Sequence, residues 1–415
     1  MSRRTGLMAG SAAVVVAVVA VVVVAMSGGG GVSAPPVSST STPPPAAAES
    51  NAAGSTVVVA MGDLSDPSNT FYELFGRPAG STSWRLATPP GVADNGGLVI
   101  GASQSGAVTA GFLPSDDLTF SVLAQRAAST AAWVPGDVPG TLAPEPDALA
   151  AGPSGQVAAV LSRPASSVIG AGSGLADWSR LATAVELARA SDRCAVTRIT
   201  AVAVTISGVP VVGASCARSA TIGLFVPAGR SDAAGGTVSS TLRRPTAGWS
   251  LVGPVFSGRV PDTTSVLRLQ AGPGGVSALV SSVLNGVTTL TAMWGSGVSG
   301  TDAPTTSLPL RVPPGWSVLG TAMGGGDGSG ETVLLGSGAA RRVEVIGGVA
   351  TSSGERWTRL TTPPGGTTAV ASVGGSTDAF VPSGSHLSIW STAPGAAAWT
   401  KVDQQSVPIQ FGSSR

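Results

Sequence analysis

The chain has 415 residues, 43% hydrophobic and only 11% charged, with 58 Gly, 31 Pro and a formal net charge of +1. That balance excludes a disordered polyelectrolyte and a nucleic-acid binder. It describes a large folded body with many tight turns, and its Arg-rich bias, with Lys401 the only lysine, matches a GC-rich bacterial genome.

Arg3 and Arg4 precede Leu7–Met26, an uncharged run centred on VVVAVVAVVVVA. About 20 apolar residues at 1.5 Å each cross a hydrocarbon core of roughly 30 Å. The run therefore predicts a transmembrane signal-anchor over 7–26, with 1–6 as a cytoplasmic tail and everything after Met26 exported. A cleaved signal peptide, with cleavage in the Ala25–Ala34 region, is the alternative; its apolar region is usually shorter. Residues 27–54 are rich in Gly, Pro and Ser and read as a disordered linker holding the next domain off the membrane.

From residue 55 to 412 tryptophan marks a repeat. Trp84, Trp133, Trp178, Trp249, Trp316, Trp357 and Trp399 share one context, small or polar residues before and a short alternating strand after. Their spacings run from 41 to 71 residues, compatible with four-stranded units of about 40–50. Trp294 and Trp390 belong to a different strand position. The last unit reads as four short alternating runs, TTAVASVGG, TDAFVPSG, SHLSIWST and AAWTKV, divided by Gly, Pro and Ser. The first run of each unit is small-residue rich, as the crowded axis of a propeller requires. The expected fold is therefore all-β, a seven-bladed β-propeller behind an N-terminal transmembrane helix and a disordered linker. STVVVAMG (55–62) reads as the second strand of the first blade, and the spare segment SVPIQFG (406–412) as its missing innermost strand, closing the ring.

The wide spacing between Trp178 and Trp249 holds an Ala-rich stretch, a Val-rich hairpin and a polar loop. Cys194 and Cys216, the only cysteines, flank that hairpin. An even pair in an exported domain predicts one disulfide, and the absence of C-x-x-C spacing argues against metal or redox chemistry.

SSGERW, with Gly354 and Trp357 in Gly-x-x-Trp spacing, and the looser GSTSW, GLADW and GAAAW resemble the Asp-box (BNR) repeat of sialidase-like propellers, although none carries the Asp of that box. The resemblance implies propeller topology, and sialidase chemistry would need three arginines, a Tyr–Glu nucleophile pair and an aspartate acid. Tyr72, the only tyrosine, alternates away from Glu73 on one strand. Arg243–Arg244 and Arg341–Arg342 are adjacent pairs that point apart. Asp63, Asp66, Glu73, Asp94, Asp116, Asp117, Glu145, Asp147, Glu331 and Glu344 could supply the two facing carboxylates of a glycosidase, and sequence does not bring any two together. His386 stands alone, and the Gly- and acid-containing loops 62–69 and 324–331 lack EF-hand spacing. No catalytic, cofactor or metal residue is thus assigned. The sequence reads as a membrane-anchored, extracytoplasmic binding or scaffold module of the bacterial cell envelope, with an envelope protein or glycan as partner and no cofactor. The alternative is an envelope glycan-processing hydrolase of sialidase-like descent. In an enzyme, carboxylates and arginines should converge at the central pocket; in a scaffold, the rim should be neutral or apolar.

Overall fold

The computed structural model describes residues 46–407 apart from 52, 62–70, 90–97, 113–122, 129–130, 137, 139–145, 164, 230–240, 256–258, 274, 296–304, 325–330, 338–341 and 352–353. These described residues all fall in the second of two units into which the chain divides. Among the described residues no helix is long and apolar enough to cross a membrane; the expected anchor, 7–26, lies outside them.

The described strands pair in chain order into antiparallel meanders. The first contains β1 (Ala46–Asn51), β2 (Gly54–Met61), β3 (Phe71–Pro78) and β4 (Arg85–Leu86). The second contains β5 (Leu98–Ala102), β6 (Val108–Phe112), β7 (Leu123–Arg126) and β8 (Val134–Gly136). The third contains β9 (Ala148–Ala151), β10 (Val157–Leu161), β11 (Ser167–Ala171) and β12 (Ser179–Thr183). A short helix, α1 (Ala184–Ala190), leads to the fourth: β13 (Ala195–Val204), β14 (Pro210–Ala217), β15 (Gly223–Pro227) and β16 (Trp249–Leu251). The fifth has β17 (Thr263–Gly272), β18 (Gly275–Leu284) and β19 (Val287–Trp294), and its outer strand is split into β20 (Thr305–Thr306) and β21 (Leu310–Arg311). The sixth is β22 (Trp316–Met323), β23 (Thr332–Ser337), β24 (Arg342–Thr351) and β25 (Gly354–Arg359). The seventh is β26 (Ala369–Val373), β27 (Ser376–Ser383), β28 (His386–Thr392) and β29 (Thr400–Ser406).

Apolar clusters join each meander to the next. Val58 and Leu74 pack with Leu98 and Ile100; Val99 and Leu123 with Leu149 and Val157; Ala158 and Leu181 with Val202 and Phe225. Val211 then meets Val266 and Leu269, and Leu279 and Leu290 meet Met323 and Val333. The last cluster joins Leu334 and Val345 to Ala369 and Phe380, and these to Val57 and Phe75 of the first meander. Fully burying a Val, Leu or Phe contributes about 1.5–3 kcal/mol, so the repeat is held by the faces between meanders. This is a β-propeller fold, in which first strands gather round an axis and neighbouring sheets pack face to face. The first strands are small because they crowd: a Cβ on Gly101 would lie 2.6 Å from the Cα of Ala150 in the next meander.

Two expectations are corrected and one choice is settled. Ala46–Asn51, inside the stretch read as linker, forms β1 and takes the innermost place of the first meander, where it pairs in parallel with β22. Alanine and serine provide enough small surface for an axial strand, so a linker-like composition also suits this position. The C-terminal segment is therefore not that strand: Ser406 ends β29, Val407 is buried, and 408–412 lie outside the described residues. Finally, the sequence offers Trp316 two places, the fourth strand of the fifth unit (GWSVLG) and the first strand of the sixth (WSVLGTAMGG); the structure takes the second, with Trp316 opening β22, and the outer strand of the fifth meander is the split β20 and β21.

The predicted disulfide is present: Cys194 and Cys216 are bonded. They tie the start of β13 to the end of β14, which is the fourth meander's own inner hairpin and not an insertion. The Ala-rich stretch before it is α1, started by a capping box in which Thr183 and Glu186 satisfy each other's backbone N–H.

Candidate functional site

Antiparallel meanders place their connections alternately on two rims. One rim carries the turns from first to second strands. Its members touch across meanders: the Asn51 amide donates to Ser103 O at 2.5 Å, and the Ser105 hydroxyl donates to Pro153 O at 3.0 Å. The other rim carries the second-to-third turns and the connections between meanders. There Arg218 N–H donates to Asp262 O at 2.8 Å, Ser219 Oγ donates to Arg193 O at 2.5 Å, and Thr221 bridges Val255.

At the first rim the ends of the axial strands line a shallow, open cleft with Glu49, Gln104, Gln270 and Ile206 among alanines, Leu149 and Leu269. Glu49 comes from β1 and Arg268 from β17, four meanders on, and they meet with Glu49 Oε1 2.7 Å from Arg268 Nη2. The second carboxylate oxygen accepts the Ala102 N–H. Gln270 Nε2 donates to Ser50 O at 2.8 Å, and Gln104 Nε2 donates to Ala271 O at 2.9 Å. First, second and fifth meanders are thereby tied together by polar groups across the axis. Burial pushes the Glu49 carboxyl up to about 7, against the opposing pull of Arg268 and the Ala102 N–H. Arg268 Nε and Gln270 Oε1 are buried without a hydrogen-bond partner among the described residues. Chemically, the cleft offers one proton-exchanging carboxyl and a few amide groups on an apolar wall.

The tryptophans form a second, repeated device. Trp133 Nε1 donates to Ala87 O at 3.0 Å, Trp249 Nε1 to Leu181 O at 3.3 Å, and Trp399 Nε1 to Thr361 O at 2.7 Å. In each case the acceptor follows the preceding meander's tryptophan by three or four residues, so an outer strand's indole fastens it to the outer strand before it. Trp84 uses a side chain instead: its Nε1 donates to Asp378 Oδ2 at 2.8 Å, and its ring meets Phe380 edge-on at 5.0 Å. Trp178 and Trp357 pack on clusters shared with the preceding meander, and their indole nitrogens have no partner among the described residues. Trp84 and Trp357 are in equivalent register: Arg85 pairs Gly76 as Thr358 pairs Gly347, and Ala87 and Leu360 donate to Leu74 O and Val345 O. Trp316 also packs against the cluster between the fifth and sixth meanders.

The other candidates are dispersed. Glu73 is buried, accepts the Thr88 hydroxyl, and has its carboxyl raised by burial against that bond. Tyr72 packs on the other side, toward the second meander. Glu344 pairs with Arg359 at 3.0 Å. Arg243 and Arg244 are exposed, Arg244 reaching Glu186, and Arg342 is exposed while Arg341 is outside the described residues. Glu331 is buried at the start of the sixth meander's second strand. His386 is exposed, with Ser385 Oγ 3.4 Å from Nδ1. Asp63, Asp66, Asp94, Asp116, Asp117 and Glu145 lie outside the described residues, as do most of the loops 62–69 and 324–331. Among the described residues no three His, Cys, Asp or Glu gather as a metal site. Glu49, Arg268 and Gln270 were missed because Glu49 stands in linker-like sequence and its partners are more than 200 residues away.

No protein-family model matches the chain, and no curated protein matches it. Among solved structures it is similar to a protein from Lactobacillus plantarum (11% identity, TM-score 0.46, 86% of this chain and 97% of that one). It is also similar to the SapL1 lectin in complex with alpha methyl fucoside (13%, TM-score 0.38, 88% and 97%) and to YCF48 from Cyanidioschyzon merolae (13%, TM-score 0.39, 89% and 98%). At these scores the likenesses carry no argument about ligand or activity.

Proposed function

We propose that the chain is a membrane-anchored, extracytoplasmic, seven-bladed β-propeller that acts as a binding or scaffold module in the cell envelope. Each meander is one blade, residues 7–26 are the anchor, and the chain up to Ala46 is the tether. The uncharged run after Arg3 and Arg4 supports the anchor and its orientation. One observation carries the scaffold reading: the blades are fastened to one another by outer indoles and across the axis by Glu49 and Arg268. Such a ring holds its rims still, and recognition then belongs to loops on a rigid support. Proximity labelling from the exported domain in its own cells tests this. A reproducible set of envelope proteins is expected; turnover of an envelope glycan by the purified protein, with no reproducible partner, would reverse it.

The hydrolase of sialidase-like descent rests on the Asp-box resemblance and on Glu49, whose carboxyl titrates near neutrality in a cleft as a general acid must. Glycoside hydrolysis also needs a second carboxylate about 5–9.5 Å away, and Glu49 is the carboxylate among the described lining residues. If this reading holds, Glu49→Gln abolishes glycan turnover while the protein stays folded.

A further inference from the structure

The charge of the chain is unevenly placed. Residues 163–268 contain eleven of its 22 arginines and five acids, so this quarter of the sequence is basic and the remainder of the propeller is acidic. Arg163, Arg189, Arg193, Arg198, Arg218 and Arg259 are all exposed. By topology all six belong to one rim: Arg163 and Arg218 in second-to-third turns, Arg189, Arg193 and Arg259 in connections between meanders, and Arg198 near the start of β13. The elements bearing them touch. Ser219, beside Arg218, bonds the Arg193 carbonyl, and Arg218 N–H bonds Asp262. Asp147, raised by burial and held back by Ser162, also feels Arg198 and Arg163. Asp147, Glu186, Asp192 and Asp262 are acids on the same described elements; Glu186 on α1 is engaged by Arg244, and Asp262 is partly engaged, accepting Asn285 N–H at 2.8 Å. Two apolar side chains, Val185 on α1 and Val260, stand exposed among the arginines.

The place where the chain enters matters as much. β1 ends at the first-to-second-turn rim, where Asn51 meets Ser103. Ala46, at its other end, is therefore on the arginine-bearing rim, and whatever precedes Ala46 joins the propeller there. Between Met26 and Ala46 are 19 residues, which extend at most roughly 65 Å at about 3.5 Å each.

We propose that this rim docks on the anionic phospholipid headgroups of the membrane in which the chain is anchored, with the arginines on phosphate and Val185 and Val260 at the interface. The inference rests on the anchor reading above. Arginine forks match phosphate geometry, and basic clusters next to a membrane anchor are drawn to anionic lipid. Exposed apolar residues among basic ones are the mark of an interfacial surface. With this rim turned to the membrane, the opposite rim and its axial cleft would face away from it.

The test uses the full chain reconstituted in vesicles of phosphatidylcholine or of phosphatidylglycerol, with amide hydrogen exchange read over 185–198 and 214–222. Exchange there should slow at least fivefold in phosphatidylglycerol relative to phosphatidylcholine. The slowing should vanish at 1 M salt and in the triple variant Arg193→Gln, Arg218→Gln, Arg259→Gln. Equal exchange in the two lipids overturns the proposal whether or not the variant folds. Slowing by soluble polyglutamate but not by phosphatidylglycerol vesicles also overturns it and assigns the rim to an acidic polymer. The anchor is tested separately by flotation with phosphatidylcholine vesicles at 1 M salt: loss of flotation refutes the anchor, while lipid-dependent slowing still reports on the rim.

Discussion

Trp133, Trp249 and Trp399 each combine a large apolar ring with one N–H, and the structure uses both halves. The ring covers the cluster between two meanders, and the N–H satisfies a carbonyl at the edge of the preceding sheet. Trp133 has a further contact, with the Arg126 guanidinium 4.8 Å from its ring centroid; burial lowers the affinity of that guanidinium for its proton. Trp133→Phe and Trp399→Phe keep an aromatic ring but remove the N–H donor and part of the buried ring area. Each should cost about 1 kcal/mol in chemical denaturation, and the pair should be additive because the sites share no partner. Glu49 offers a different test. It binds its proton more tightly folded than unfolded, so its contribution to stability is greatest below about 4.5 and falls as pH rises toward about 7. Comparing ΔG against pH, Glu49→Gln should remove a fall of up to about 3 kcal/mol across that window. Identical pH slopes in the two proteins would reject a raised Glu49.

At the scale of elements, the fourth meander stands out. Its long β13–β14 hairpin is closed by Cys194–Cys216, and Gly223 faces that bond so closely that a Cβ there would sit 2.7 Å from Cys216 Sγ. Replacing both cysteines by serine should cost roughly 2–4 kcal/mol and lower the melting temperature without changing the far-UV spectrum. The axial strands have the opposite sensitivity, to added volume. Gly101→Val should destabilise strongly, by more than about 3 kcal/mol, because the nearest atoms are Ala150 and Leu149 backbone, which cannot rotate away. The same change at exposed Gly174 would test only backbone strain, since nothing lies within 4 Å of it.

For the molecule as a whole, the seam between the seventh and first meanders is where the two ends of the propeller sequence meet. Asp378 is buried there, accepting Trp84 Nε1 at 2.8 Å and Arg77 Nη1 at 3.1 Å. Thr368 Oγ1 donates to Ala60 O at 2.9 Å, Ser50 Oγ donates to Ser372 O at 2.5 Å, and the Gln405 amide donates to Trp84 O. Closure is thus by side chains and packing, where the sequence suggested a strand exchanged from the C-terminus. Asp378→Ala leaves the N–H of buried Trp84 unpaired and takes the carboxylate from half-buried Arg77, whose Nε still donates to Ser81 O at 2.7 Å, and should cost about 1–3 kcal/mol in thermal or denaturant unfolding. A loss under 1 kcal/mol would mean that the seam is held by its apolar cluster alone.

Strand period, turn residues and the tryptophan repeat are local properties, and the all-β class, the antiparallel meanders, the disulfide pair and the register equivalence of Trp84 and Trp357 were legible from them. What lies far apart in the chain was decided only by tertiary structure. Linker-like Ala46–Asn51 became a strand because β2 and β22 offered it two edges, and Trp316, which two strands could claim, opens β22 because it pairs there with Ser337. The Glu49–Arg268 pair, the Asp378 seam and the arginine-bearing rim each join residues brought together only when the sheets pack. No local pattern encodes those distances, since they follow from how many meanders stand between two residues and on which rim each one ends.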